Sequence, residues 1–383
     1  DPKNLEVAQV VGADEIVWLL TGDIIAKVIA QTCRQSGLSV VYTDLLDFDG
    51  DEIYFYQDDT LSGKTYGEAL QLFEKNAVMG IYPAGQKPVL NPPVDTRIQQ
   101  GDRLFLLAED DDQVRVNGRS DNTIQEASII DHPSSVPSAE KFLMLGWNWR
   151  APRIILELDN YVEQGSKLQI VCNLENAESS CQVEQLRALK VSFLKADTTL
   201  RSVLDGLDIP DFDHVILLCN SDQLSVQVAD AHTLITLLHL RDINNKYSHS
   251  RFSITSEMLD IRNRNLAEVA RADDFIVSDK LISLMFSQIS EQRGLSDVFT
   301  DIFNHEGSEI HLKPVGNYVT LGVPVNFYTV VESARRKGET AIGYRKHANR
   351  LDPNQKYGVV LNPDKSNDQI YVEEDRFVVI SQD

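Results

Sequence analysis

One segment of about 30 residues occurs twice in this chain. Residues 24–53 and 281–310 align without a gap, 257 positions apart, and 12 of the 30 aligned pairs are identical. The identical pairs include Gln31/Gln288, Gln35/Gln292, Gly37/Gly294, Leu38/Leu295, Ser39/Ser296, Thr43/Thr300, Asp44/Asp301, Gly50/Gly307, Glu52/Glu309 and Ile53/Ile310. A repeat at this spacing predicts two copies of one module rather than one domain with a single active site.

Each copy predicts a helix, a turn, a second helix and a strand. Apolar residues of the first helix recur at helical spacing and form one stripe. The stripe contains Ile24, Ile25, Val28 and Ile29 in the first copy and Leu281, Ile282, Met285, Phe286 and Ile289 in the second. Gly37 and Gly294 are expected to end these helices in a left-handed conformation. Two interpretations of the stripe stay open: core packing, or a surface that pairs with another module or chain.

The repeat extends beyond these helices, from about residues 1–110 onto about 263–383. Val89–Pro92 returns as Val360–Pro363, and the strand that starts near Arg103 returns near Arg376. Each copy therefore predicts a small β-rich lobe after its helices. Between the copies, residues 113–138 are rich in Ser, Asn, Asp and Pro and predict a linker.

Residues 141–277 alternate between short apolar strands and amphipathic helices. This alternation predicts an α/β fold with a Rossmann-like, doubly wound parallel sheet. In such sheets, the loop after the first strand is where a nucleotide phosphate binds. Here that loop contains Gly146, Asn148 and Arg150, and Asn148 occupies the position of the second glycine of G-x-G-x-x-G. Because Trp147 and Trp149 flank Asn148, we expect no nucleotide in the ordinary pose. The open interpretations are a structural loop and a loop in which Arg150 binds an anion.

An acidic turn, Asp47, Asp49, Asp51 and Glu52, is the candidate metal site. The spacing is not that of an EF-hand, because its glycine comes too early. The open interpretations are an oxygen-rich turn that binds Ca²⁺ with help from elsewhere, and a turn whose acids are solvated.

Composition excludes several functions. The formal net charge of -22 argues against a nucleic-acid partner, which requires a basic face. Four cysteines without C-x-x-C spacing indicate reduced thiols. No run approaches the ~18 apolar residues that span a bilayer. Without a catalytic motif such as G-x-S-x-G, H-E-x-x-H or a P-loop, we expect no enzymatic activity.

The order of motifs over residues 140–383 resembles that of RCK domains (regulators of K⁺ conductance), and in particular that of the Castor/Pollux ion-channel family. The resemblance is carried by Leu145–Trp147, Leu158–Tyr161, Leu237–Ile243, Ser256–Asp260, Phe275–Ser278, Glu306–Pro314 and Ile342–Arg345. It implies a truncated first RCK domain at 1–112, a second Rossmann lobe with crossover helices at 139–312, and a C-terminal lobe at 313–383.

The same resemblance implies the function. It implies a ligand-sensing gating ring on the cytoplasmic face of a membrane, with eight such domains from four chains joined to the pore of the same protein. The crossover helices at 278–303 would form the tight pairing of domains, and Ca²⁺ would be the ligand. The alternatives are a soluble NAD-binding regulatory subunit of a K⁺ transporter and a nucleotide-dependent oxidoreductase, because the Rossmann fold alone is shared with both.

Overall fold

The computed structural model describes residues 16–48, 50–117, 124–131, 138–175, 177–246, 252–263, 273–304 and 307–382. Its helices, in chain order, are α1 (Thr21–Arg34), α2 (Leu38–Leu46), α3 (Tyr66–Ala69), α4 (Ala151–Tyr161), α5 (Arg201–Asp205), α6 (Val226–Asn245), α7 (Ser278–Glu291), α8 (Leu295–Ile302) and α9 (Phe327–Arg336).

The strands follow the same numbering. They are β1 (Glu52–Tyr56), β2 (Ala77–Tyr82), β3 (Val89–Leu90), β4 (Arg103–Ala108), β5 (Lys141–Leu145), β6 (Lys167–Cys172), β7 (Lys190–Lys195), β8 (His214–Leu217), β9 (Ser253–Met258), β10 (Asp274–Val277), β11 (Glu309–Pro314), β12 (Pro324–Asn326), β13 (Thr340–Arg345), β14 (Val359–Leu361), β15 (Asp368–Ile370) and β16 (Arg376–Ser381).

The chain divides into two compact units, which interleave along the sequence. The sheet unit comprises Asp1–Ser39 and Val136–Ser287, and the lobe unit comprises Val40–Ser135 and Gln288–Asp383. The predicted domain bounds follow the repeat along the sequence, whereas these units follow contacts in space. The bounds themselves stay a prediction.

The sheet unit contains six parallel strands in the order β10-β9-β8-β5-β6-β7. The order reverses direction between β5 and β8, as in a doubly wound Rossmann sheet. After their first residues, the two central strands, β5 and β8, are apolar, as expected for strands of a parallel sheet covered by helices. Leu143, Val215 and Ile254 of three neighbouring strands pack with Leu237 and Leu240 of α6 in one core. The predicted fold class is confirmed.

Helix α1 belongs to the first copy of the repeat, but it packs inside the sheet unit. It contacts α4, β8 and β9, and its buried face includes Ile25, Val28 and Ile29. The chain turns after α1 at Gly37, whose φ of +94° is the left-handed value expected at a helix stop. The first crossover helix therefore packs on the sheet formed by the second copy.

Gly294 does not play the same part in the second copy, so that expectation was wrong. Its φ of -63° is right-handed, and it lies at the N-terminal boundary of α8. A Cβ atom there would lie 3.2 Å from the ring of Phe55 and 3.3 Å from that of Tyr82. Gly294 therefore allows close packing against these two rings and does not supply a left-handed backbone.

The lobe unit contains the two β-rich lobes. Their sheets have equivalent strand orders, β1-β4-β2-β3 and β11-β16-β13-β14, and every pairing is antiparallel. A register shift interrupts β2 between Val78 and Gly80, and β13 between Ala341 and Gly343. The second lobe adds the pair β12 and β15. The two lobes share one hydrophobic core, so the repeat read from the sequence is a structural repeat.

Part of the predicted linker is ordered on the second lobe. Gln125 accepts a hydrogen bond from the amide of Asn326 through Oε1 and donates its own amide to Oγ1 of Thr329. Ile129 forms an isolated bridge with Val319. Within residues 124–131 the linker therefore lies along a neighbouring element.

Candidate functional site

The glycine loop after β5 is shaped by close packing against the segment that follows β8. Gly146 has a φ of +89°, and a Cβ atom there would lie 2.2 Å from the carbonyl oxygen of Leu218. The next residue, Trp147, donates its amide to Oδ1 of Asn220 over 2.9 Å. Only glycine satisfies both the backbone angle and the approach.

The polar side chains of the loop point inward, to a carboxylate at the end of β9. Nδ2 of Asn148 donates to Oε2 of Glu257 over 2.7 Å and to the carbonyl of Cys219 over 2.9 Å. Nη1 of Arg150 donates to Oε1 of Glu257 over 2.9 Å. Nη1 of Arg150 is therefore already bound to a carboxylate of the chain itself. This nitrogen is not available to an external anion, which disfavours the alternative that Arg150 binds one.

Glu257 is the centre of this network. It also accepts a hydrogen bond from Oγ of Ser278, the first residue of α7, over 3.2 Å. Complete burial raises the pKa of the Glu257 carboxyl, against the opposing effect of Arg150 and Asn148. The network joins three segments, the loop after β5, the end of β9 and the start of α7, and so fixes the first turn of a crossover helix to the sheet.

A bound pyrophosphate would face this carboxylate. In a nucleotide-binding loop, free backbone N–H groups and a small side chain allow phosphate to approach. Here the side chains of Asn148 and Arg150 are already bonded to the buried carboxylate of Glu257, which would repel a phosphate near the loop. The arrangement suits a structural tie between strands and helix.

Trp149 is the exposed member of the loop. Its side chain is 55 % exposed, and the guanidinium carbon of Arg150 lies 4.7 Å from its ring centroid. The ring lies against Gly22 in the first turn of α1, where a Cβ atom would be 2.2 Å from Cη2. Gly22 therefore lets the start of α1 approach the loop.

The predicted metal-binding residues lie in a turn between α2 and β1, and Asp49 is outside the described residues. Oδ1 of Asp51 accepts a hydrogen bond from Nδ2 of Asn362 over 2.7 Å, and burial raises the pKa of its carboxyl. The nearby Asp44 forms an ion pair with Lys356 over 2.7 Å.

The other two acids of the turn do not complete a metal site. Glu52 begins β1, and burial together with the charge of Glu291 raises the pKa of its carboxyl. Asp47 is half-buried at the end of α2. Within the part of the chain that the structure describes, no group of three or more His, Cys, Asp or Glu side chains is arranged to hold a metal.

The predicted interface stripes are mostly buried within the chain itself. In α1, Ile25, Val28 and Ile29 are buried and Ile24 is half-buried. In α7, Leu281, Met285 and Ile289 are buried and Ile282 is half-buried. Phe286 differs from them, because half of its side chain surface is exposed.

Sequence reasoning missed a second, more exposed apolar stripe, on α6. Val228, Ala231, Ile235 and Leu238 are exposed at helical spacing, and the opposite face of the helix packs on the sheet. Leu238 is 50 % exposed, Val228 44 % and Ile235 43 %. The signal was present, since α6 carries apolar residues on both of its faces.

Among the described residues, no helix has the length and apolar character needed to cross a bilayer.

Comparison with known proteins gives consistent matches. Residues 22–124 match the family model described as Castor and Pollux, part of voltage-gated ion channel. The ion channel CASTOR of Lotus japonicus is 26% identical over 418 residues, which cover 100% of this chain and 48% of the relative. The probable ion channel POLLUX of Arabidopsis thaliana is also 26% identical, over 100% of this chain and 50% of the relative. The chain thus spans about half the length of the curated relatives it matches.

Among solved structures, the human SLO3 gating ring aligns with a TM-score of 0.68 at 12% identity. The alignment covers 98% of this chain and 79% of that chain. At this identity the likeness shows the fold. Residues 22–124 are thus similar to the Castor/Pollux family model, the whole chain is similar to part of two named ion channels, and the chain has the fold of the SLO3 gating ring.

Proposed function

We propose that this chain is the ligand-sensing gating-ring region of a cation channel, on the cytoplasmic face of the membrane. The observation that carries the proposal is the interlocking of two modules, in which α1 of the first copy packs on the sheet of the second. A ligand that binds one arrangement of such modules better than another shifts their equilibrium, and pore helices attached to them would follow. The relatives support the proposal because they are named ion channels.

Ring assembly is the first part of the proposal. The exposed stripe of α6 (Val228, Ala231, Ile235 and Leu238) is proposed to pack against another copy of this chain. Three of its side chains are large, apolar and more than 40 % exposed on one helix face, a pattern that favours a protein partner. A tetramer of these tandem modules would give eight domains, as the family resemblance implies.

The stripes of α1 and α7 are proposed as the second pairing surface. The stripe of α1 already packs inside the sheet unit of its own chain. It comprises Ile24, Ile25, Val28 and Ile29. Leu281, Ile282, Met285 and Ile289 would be the equivalent set in the second copy, with Phe286 at the exposed margin. The stripes would thus combine core packing with module pairing, the two interpretations that the sequence left open.

Ca²⁺ is the proposed ligand, with Asp47, Asp49, Asp51 and Glu52 as candidate ligands. Hard oxygen donors are the ones that Ca²⁺ prefers. Asp51 and Asp44 now bind Asn362 and Lys356, so Ca²⁺ would have to displace those donors. Binding of NAD⁺ in the ordinary pose is disfavoured because the carboxylate of Glu257 lies behind the loop and binds the side chains of Asn148 and Arg150.

The oligomeric state tests assembly. Leu238→Glu should weaken self-association of the purified chain at least about tenfold, because a carboxylate would be buried unpaired. Light scattering coupled to size-exclusion chromatography over a range of concentrations measures it. Leu351→Glu is the matched control, since Leu351 is an exposed leucine in the lobe unit. A monomeric wild-type chain, or an unchanged oligomer in Leu238→Glu, would contradict the proposed contact.

Titration calorimetry and single-channel recording test sensing. Ca²⁺ should bind the wild-type chain and bind Asp51→Asn more weakly, and Ca²⁺ on the side of this region should change the open probability of the full-length channel. Tight binding of NAD⁺ with no response to Ca²⁺ would instead favour the regulatory-subunit interpretation. Turnover of NADH with a small substrate would favour the oxidoreductase.

A further inference from the structure

Lys365 is a buried lysine in the loop between β14 and β15 of the second lobe. Its side chain is only 2 % exposed, although lysine is almost never fully buried without a partner. Nζ donates to the carbonyl of Phe73 over 2.5 Å and to the carbonyl of Asn76 over 2.7 Å. Among the described residues, no carboxylate lies within ion-pair distance of this nitrogen.

The contact covers a whole turn of the first lobe. The carbonyl of Glu74 accepts from the backbone amide of Lys365 over 3.1 Å, and the carbonyl of Lys75 accepts from Nδ2 of Asn362 over 2.8 Å. With the two carbonyls bound by Nζ, all four consecutive carbonyls of residues 73–76 are bound by Asn362 and Lys365. Lys365 and Asn362 of the second lobe thus bind one complete turn of the first lobe.

The backbone of Lys365 also binds α9. Its own carbonyl accepts from the amide of Tyr328 in α9 over 3.1 Å. Lys365 therefore links three segments: the turn at 73–76, its own loop and the start of α9.

The repeat shows that the fold itself does not require the ammonium. Asn91 is the counterpart of Asn362, with a similar positive φ (44° against 48°), and its Nδ2 donates to the carbonyl of Gly338 in the second lobe. The residue that corresponds to Lys365 is Val94, whose carbonyl accepts from the amide of Gly67. One half of the repeat thus uses a valine where the other half buries a cation.

The ionisable side chains on the surrounding segments bind elsewhere. Oε1 of Glu74 and Oδ1 of Asp364 each accept from Oγ of Ser366 over 2.8 Å, and Asp51 accepts from Asn362. The side chain of Lys75, the remaining charged residue of the turn, is a cation and adds no attraction. Carbonyl dipoles alone therefore oppose the desolvation of the ammonium, and burial lowers the pKa of Lys365 to about 7.

We propose that Lys365 is a proton-linked clasp between the two β lobes: releasing it takes up one proton, so acidification favours the released state. The inference concerns the contact between the lobes and does not depend on the proposed channel function.

The direction of the pH effect on release depends on two pKa values of lysine. A solvent-exposed lysine has a pKa of about 10.4, whereas the buried one has a pKa of about 7. Between these values the closed clasp is neutral and the released lysine is charged, so release binds a proton. Lowering the pH from 8 to 7 should therefore favour release about fivefold, and lowering it from 7 to 6 only about twofold, because the closed clasp is then becoming protonated as well.

Hydrogen exchange at single amides tests the clasp directly. The amides of residue 365 and Tyr328 are reporters, because both of their hydrogen bonds survive replacement of the lysine side chain. After correction for the intrinsic exchange rate, their protection in the wild-type chain should fall about fivefold from pH 8 to 7. In Lys365→Met it should not depend on pH, and Lys87→Met, at an exposed lysine, should behave like the wild type. Equal pH dependence in the wild type and Lys365→Met would overturn the proposal.

A second measurement guards against a variant that fails to fold. In the wild-type chain labelled with ¹³C at the lysine ε carbon, one lysine should titrate near pH 7. A titration in which every lysine has a pKa above about 9 would overturn the proposal without any variant. Lys365→Arg should fold less stably at every pH, because arginine cannot lose its proton.

Discussion

The carboxylate of Asp274, at the start of β10, accepts hydrogen bonds from both the amide and the hydroxyl of Ser39, at 3.1 and 2.5 Å. Its second oxygen accepts from the amide of Gly37 over 2.7 Å. One buried acid of the second copy thus binds N–H groups at the start of α2, a helix of the first copy. The first N–H groups of a helix cannot bond to a preceding turn of that helix, so the acid acts as the N-terminal cap of α2.

We therefore expect Asp274→Ala to destabilise the sheet unit by about 1–3 kcal/mol, since buried donors would lose their acceptor. Hydrogen exchange should rise first at residues 37–42. Asp211→Asn is a control, because Asp211 is an exposed acid of the same unit. Unchanged exchange at these amides in Asp274→Ala would mean that the cap is dispensable.

Glu257 and Arg150 should show strong coupling. The side chain of Glu257 is fully buried and that of Arg150 is 11% exposed, so removing one partner leaves the other charge buried. We expect Glu257→Gln or Arg150→Met each to cost about 3–5 kcal/mol, and the double variant to cost much less than the sum of the two. Urea unfolding followed by tryptophan fluorescence measures these costs, because Trp147 and Trp149 flank the network. Additive losses would show that the pair does not act as a unit.

Much of the fold could be read from the sequence because it depends on local periodicity. The apolar pattern predicts a helix at Leu38–Leu46 and, after a Gly-containing turn, a strand at Glu52–Tyr56, and these bounds coincide with those observed for α2 and β1. The parallel sheet followed from alternation, and the lobes from the repeat. In the sheet unit the apolar pattern predicts a helix over residues 198–207, whereas the observed helix α5 spans only Arg201–Asp205, because the backbone at Leu200 is extended.

The sites were less predictable because their partners are far apart in the sequence. Glu257 gathers side chains from residues 148, 150 and 278, and nothing local marks it as buried. From the sequence, Lys365 is predicted to be a surface lysine, because it lies in a polar loop. In both cases a charge is buried by tertiary contacts that a single sequence does not reveal. Gly294 differs in another way. The repeat places a glycine at this position in both copies, but Gly37 supplies a left-handed backbone whereas Gly294 allows close packing.

Glu140 should determine part of the acid sensitivity of the sheet unit. Its carboxylate binds Arg34 of α1 over 2.9 Å and His214 over 3.2 Å. Burial by itself would raise the pKa of Glu140, but the hydrogen bond from His214 and the charge of Arg34 lower it more, and the net pKa is below its ordinary value.

A lowered pKa means that the stabilisation is present above the unfolded value of about 4.3 and is lost as the pH falls through the folded value. The wild-type free energy of unfolding should therefore decrease as the pH falls below about 4.3, and Glu140→Gln should show a smaller decrease. Arg34→Met should show an intermediate one, because His214 remains. Chemical denaturation at pH 7, 5, 4 and 3 measures these curves; parallel curves for wild type and Glu140→Gln would contradict the assignment.

Two glycines occupy equivalent positions in the two lobes. Gly80 and Gly343 follow the register shifts of β2 and β13, and each lies under a carbonyl of the next strand. A Cβ atom at Gly80 would be 2.3 Å from the oxygen of Val89, and one at Gly343 would be 2.4 Å from that of Val360. Gly80→Ala and Gly343→Ala should therefore each cost about 1–3 kcal/mol, and by similar amounts, because either must push back a strand. Thermal unfolding gives the cost, and hydrogen exchange at β3 and β14 shows where the sheet opens. Gly316→Ala is the control in the same unit, since its nearest neighbour, Leu321, is 3.7 Å away, and we expect a change within about 0.5 kcal/mol. A large loss in one lobe with none in the other would show that the lobes share topology without sharing the packing that requires these glycines.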